Sequence, residues 1–149
     1  MMADKIWLRR AVKAAMTAAE NLVLWVFIPS LLPGLLGGYV SSSSIALNLP
    51  LIYSFGAVIT GLLVLGALFD GSGVSVPFRT GAYLAEAFYI WTFLDAGVIN
   101  IAFSGVTVTF AFQTMVFIMA LPSLFSAMRT PLQYVMEESE AVKPASDTV

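Results

Sequence analysis

The sequence predicts an all-α integral membrane bundle of four transmembrane helices preceded by an amphipathic cytoplasmic helix. Three observations carry that prediction. Of 149 residues, 59% are hydrophobic and 11% charged, which is less than half the charge of an ordinary soluble domain. Mean hydropathy is +0.90. Four stretches, about 22–40, 49–69, 78–99 and 106–126, approach or exceed the roughly 20 apolar residues that cross a hydrocarbon core.

Residues 1–20 form the first element. Lys5, Arg9 and Lys13 recur every fourth position beside Arg10, while Leu8, Val12, Ala15 and Ala19 make an apolar face. This pattern suits a helix lying on the inner leaflet, its four basic residues contacting anionic headgroups or a cytoplasmic partner. The plainer role, as the positive anchor of the first span, is the favoured one. No small-x-small site follows the first apolar stretch closely, which argues against cleavage as a signal peptide.

Within the membrane domain, 21–130, breakers mark each boundary. Pro29 and Pro33-Gly34 kink the first span, because a proline removes a backbone donor and crowds the carbonyl four residues earlier. Gly37-Gly38 and Ser41–Ser44 close it. Asn48 caps the second span and Pro50 sits in its first turn. Ala57 and Gly61, a small-xxx-small pair, mark a helix-packing face there, and Gly97 offers another small surface on the third span. Asp70-Gly71-Ser72-Gly73 ends the second helix and Pro77 opens the third.

Residues 101–110 alternate at period two around Ser104-Gly105, which fits either a hairpin or an extended start to the last helix. The helix is expected. A hairpin would move the start of the last helix to about Ala111 and require it to continue past Met128. The segment 131–149, with Glu137, Glu138, Glu140 and Asp147 against Lys143, has little to bury and is expected to be a disordered cytoplasmic tail.

Charge gives the orientation. The seven basic residues are Lys5, Arg9, Arg10, Lys13, Arg79, Arg129 and Lys143. With four spans they fall at the N-terminus, the second connection and the C-terminus, so the positive-inside rule puts both termini in the cytoplasm.

The chain has no His and no Cys. Imidazole- or thiolate-ligated metals, iron–sulfur clusters, disulfides and His-based nucleophile systems are thereby excluded. No metal site, cofactor or catalytic activity is expected. A net charge of −2 argues against nucleic-acid binding.

Glu86 is the anomaly, an acid about 4 Å from the middle of the third span at 1.5 Å per residue. Arg79, Tyr83, Glu86, Ile90, Phe93, Gly97 and Asn100 follow spacings of four and three, so on a straight helix they share one face. Asp95 falls on the opposite side, which rules out a paired acid site on one unbent helix. Gln113 is the single amide within the fourth span. Glu86 serves either as a titratable relay or cation site, with Asp95, Asn100 and Gln113 as further polar groups, or as a carboxyl tying the third span to a neighbour through Tyr, Thr or Gln113. The packing role is favoured, because polar side chains commonly join membrane helices.

The chain lacks the first-span acid of small multidrug exporters, the cysteines of quinone-linked disulfide enzymes and the serial arginines of voltage sensors. The expected function is that of a non-enzymatic structural or accessory subunit of a membrane complex, or of a cellular or viral envelope. Its partners would be the lipid bilayer, anionic headgroups of the inner leaflet, and copies of itself or other membrane subunits. The alternative is an oligomeric ion or proton channel or carrier working through Glu86.

Overall fold

The structure, a computed structural model, describes residues 2–31, 49–94, 98–103 and 106–142. Among the described residues it is helical apart from two paired strands and the turn at 69–74. Three helical stretches, Lys5–Leu31, Pro50–Leu68 and Gln113–Glu140, are long and apolar enough to cross a membrane.

Helix α1 covers Met2–Leu22 and runs on through a π turn, Val23–Phe27, to Leu31. The basic arm and the apolar stretch that follows it are therefore one continuous helix. Nothing between Glu20 and Leu24 breaks the backbone, and the Asn21 amide donates to the Thr17 carbonyl at 2.8 Å. The π turn has a local cause. Pro29 offers no N–H to the Trp25 carbonyl, and the Ile28 N–H reaches back five residues to Val23, the register of a π-bulge. The rest of the expected first span, its glycine and serine breakers and Asn48 lie outside the described residues.

Helix α2, Leu49–Leu68, matches the expected second span. It ends in a turn where Gly71 takes a φ of 79°, a conformation that costs glycine little. Helix α3, Ser75–Phe93, is shorter than the expected 78–99 and is absent from the helices apolar enough to cross a membrane unaided. Arg79, Tyr83, Glu86 and Tyr89 account for that, and α3 packs between α2 and the last helix.

Residues 98–103 and 106–111 form two paired strands, which corrects the helix expected from Val106. Strand β1, Val98–Phe103, pairs antiparallel with β2, Val106–Ala111, from Val98 opposite Ala111 to Phe103 opposite Val106. The β-branched residues of both strands favour the pleat over a helix. Helix α4 then runs from Gln113 to Val142, past Met128 as a hairpin requires. Pro122 and Pro131 lie inside it. The Ser126 hydroxyl donates to the Pro122 carbonyl and that of Thr130 to the Ser126 carbonyl, each at 2.8 Å, the back-bonding to the carbonyl four residues earlier that hydroxyl side chains make within helices. Residues 131–142, expected to be disordered, are helical; Leu132, Gln133, Met136 and the glutamates are strong helix formers. Residues 143–149 lie outside the described set.

The helices pack as a row. α1 lies on α2, α2 on α3 and α3 on α4. Buried Ile52, Ile59 and Tyr89 form the core, with Trp25, Phe55 and Phe93 around them. The Trp25 and Tyr89 rings meet edge-on at 5.6 Å, a favourable quadrupole geometry. Close approach of α1 to α2 depends on Gly56, where a Cβ would stand 2.3 Å from Val26 Cγ2 and 3.2 Å from the Trp25 carbonyl oxygen. Ala57 and Gly61, expected to mark a packing face of α2, are exposed within the chain, and nothing lies within 4 Å of a Cβ built on Gly61. α4 buries one narrow stripe, Val116, Ala120, Ser123 and Ala127, and exposes Met115, Phe117, Ile118, Phe125 and Met128. In water that surface would be unfavourable; against lipid chains it is matched.

Candidate functional site

Polar side chains gather at one end of the row and continue along α3. Asp70, just past α2, accepts from the Lys13 ammonium and, at 2.6 Å, from Nη2 of Arg79. One carboxylate thus joins α1 to the start of α3. The Lys13 hydrogen bond holds the Asp70 carboxyl below its usual value of 3.8; partial burial opposes this, and the charges of Arg79 and Lys13 add to it.

A carboxyl with a depressed pKa contributes stability above its unfolded pKa and loses it as pH falls through the folded pKa. Asp70→Asn therefore lowers stability at neutral pH by about 1 kcal/mol, a small value because the pair is partly exposed and screened. The difference from wild type shrinks to nothing in strong acid, where Asp70 is protonated in both states. Thermal unfolding in micelles at stepped pH checks this, and a constant difference at all pH values would contradict it.

Two adjoining cavities open from this cluster. One, of about 470 Å³, lies between α1 and α3, lined by Lys13, Thr17, Glu20, Asn21, Tyr83 and Glu86 among others. The second, of about 400 Å³, runs between α3 and α4 from Asp70 to Arg129 and Tyr134. Arg79 and Tyr83 line both. Lys13, Arg79 and Arg129 therefore share one end of the bundle.

Glu86 lies at the inner end of the first cavity. Its Oε2 accepts from the Ser123 hydroxyl of α4 at 3.1 Å, and Trp25 of α1 lines the same cavity. Ser123 itself is buried. The carboxyl thus links α3 to α4, although through a serine and not the Tyr, Thr or Gln113 expected.

The remaining expected residues divide. Arg79, Tyr83 and Glu86 do share one lined face of α3. Asn100 does not lie on that helix; it sits in β1 opposite Thr109, because α3 stops at Phe93. Gln113 is the exposed first residue of α4 and not a mid-span amide. Asp95 and Gly97 fall outside the described residues. Lys5 and Arg9 are exposed, and Arg10 reaches toward Gly71. Among the described residues no group of three or more acidic side chains is arranged to hold a metal.

Sequence reasoning missed Ser123, Trp25 and Asp70. Ser123 had a signal, the small residues Ala120, Ser123 and Ala127 along one stripe. Asp70 is 57 positions from Lys13, and only tertiary structure joins them. Set against known protein families, curated proteins and solved structures, the chain matches none.

Proposed function

We propose that this is a non-enzymatic integral membrane protein serving as a structural or accessory subunit of a membrane complex or of a cellular or viral envelope. It crosses the bilayer four times, with α3 as the shielded crossing and both termini in the cytoplasm. Lys13, Arg79 and Arg129 at a common end support that orientation through the positive-inside rule. One observation carries the functional reading. The mid-bundle acid Glu86 is engaged in tying α3 to α4 through Ser123, the use of a polar group that holds membrane helices together.

A second reading has its own support. The cavity of about 470 Å³ reaches from Lys13 and Arg79 to Glu86, the arrangement an ion or proton conductor working through that carboxyl would need. Proton and cation flux into liposomes separates the two. The expected result for a structural subunit is no flux above empty liposomes at either sign of membrane potential. Flux that Glu86→Gln abolishes would establish the conductor instead.

A further inference from the structure

The ends of the row are complementary in charge. At 100° per residue, the face of α1 opposite its buried Ala14 and Asn21 carries Lys5, Arg9, Met16, Val23 and Phe27, and the face of α4 opposite its buried Val116, Ala120 and Ala127 carries Ile118, Phe125, Met136 and Glu140. Lys13 contacts Asp70, and a Cβ on Gly73 would stand 2.7 Å from the Tyr134 hydroxyl. Lys13 and Tyr134 therefore mark the same level, that of the α2–α3 turn. Arg10, Arg9 and Lys5 precede Lys13 by three, four and eight residues, which places them about 5, 6 and 12 Å beyond that level at 1.5 Å per residue. Glu137, Glu138 and Glu140 follow Tyr134 by three, four and six, about 5, 6 and 9 Å beyond it on the same side. Among the described residues none of these six makes an ion pair within the chain.

We propose that copies of this chain associate head to tail, the α1 basic arm of one against the acidic end of α4 of the next. Below the charges the same contact covers exposed Met16, Val23 and Phe27 of α1 and Ile118, Phe125 and Met128 of α4. Anionic headgroups attract the arginines but repel the three glutamates, whereas another copy satisfies both. Exposed ion pairs are individually weak, so they set register and partner choice while helix packing supplies the affinity. Two different surfaces meet, so the contact is heterologous and propagates into a ring or an open array. This rests on the structural-subunit reading, of which it names the partner.

The chain contains no cysteine, so introduced thiols are its only ones. Leu8 and Met136 are exposed and adjoin the charged groups without being among them. Full-length protein in liposomes carrying Leu8→Cys and Met136→Cys together is expected to oxidise to a ladder of dimers, trimers and larger species. Each single variant is expected to stay monomeric, and the two singles mixed are expected to give only dimers. Adding Lys5→Glu and Arg9→Glu lowers the cross-linked fraction about fivefold, the size of a weak ion-pair network. Glu140→Lys in that background restores part of it. Absence of the ladder, dimers from either single variant, or indifference to charge reversal with sensitivity to removal of anionic lipid would each overturn the proposal. A failed ladder without flux leaves the structural-subunit reading standing, and a ladder with Glu86-dependent flux overturns that reading but not the contact.

Discussion

Gly56→Leu destabilises the protein by about 3 kcal/mol, the upper range of overpacking costs, and separates α1 from α2. The α-hydrogen of Gly56 faces Val26 Cγ2, 2.3 Å from where a Cβ would stand, and the Trp25 carbonyl oxygen at 3.2 Å. The valine methyl can turn aside. The carbonyl belongs to the π turn and moves only with α1 itself. Alanine should therefore cost about 1 kcal/mol, most of it relieved by Val26→Ala, whereas leucine also displaces the backbone and is not rescued. Displacement of α1 breaks the edge-on contact of Trp25 with Tyr89, so tryptophan emission shifts together with the unfolding midpoint in micelles. Gly61→Leu is the control. With nothing within 4 Å of its Cβ, it should stay within about 0.5 kcal/mol of wild type, as open surface sites do. Equal losses at both glycines would refute the close approach.

That pair of glycines shows what the sequence can and cannot reveal. Small-xxx-small spacing identifies that a helix has a narrow face but not which way it points, and one residue turns the face by about 100°. The motif at Ala57 and Gly61 thus points outward while Gly56 makes the contact. α2 was legible at both ends because an apolar run lies between Pro50 and the Asp70-Gly71 turn, where local chemistry alone stops a helix. The hairpin was legible as alternation around Ser104-Gly105. It was outweighed by a run from Val106 long enough to span, and β-branched residues decided it against the helix. The boundary at residue 20 marks a change of charge, and the helix continues across it. Asp70 read as a turn residue, since its pairing with Lys13 depends on how α1 lies across α2. The Glu86–Ser123 bond likewise needed the rotation of α4 about its axis, which length and composition leave open.

Glu86→Leu is expected to destabilise the protein by about 2 kcal/mol, and the sign of that change decides where the side chain sits. A carboxyl facing lipid at mid-membrane costs roughly 2.5–3.5 kcal/mol on insertion scales, so replacing it with leucine there would stabilise. Inside the bundle the balance reverses. Leucine leaves the hydroxyl of Ser123, a residue only 8% exposed, without its acceptor, a loss of about 1–3 kcal/mol for an orphaned polar group. Glutamine keeps an acceptor oxygen at the same reach and should fall within about 1 kcal/mol of wild type. Ser123→Ala in the leucine background removes the orphan and recovers part of the loss, so the double-mutant cycle should show a coupling of about 1 kcal/mol between positions that touch. Unfolding in micelles measures all four proteins. A stabilising leucine, or a cycle with no coupling, would free Glu86 from its packing role and move the weight to the cavity beside it; a destabilising leucine with a silent glutamine holds the carboxyl to the α3–α4 seam.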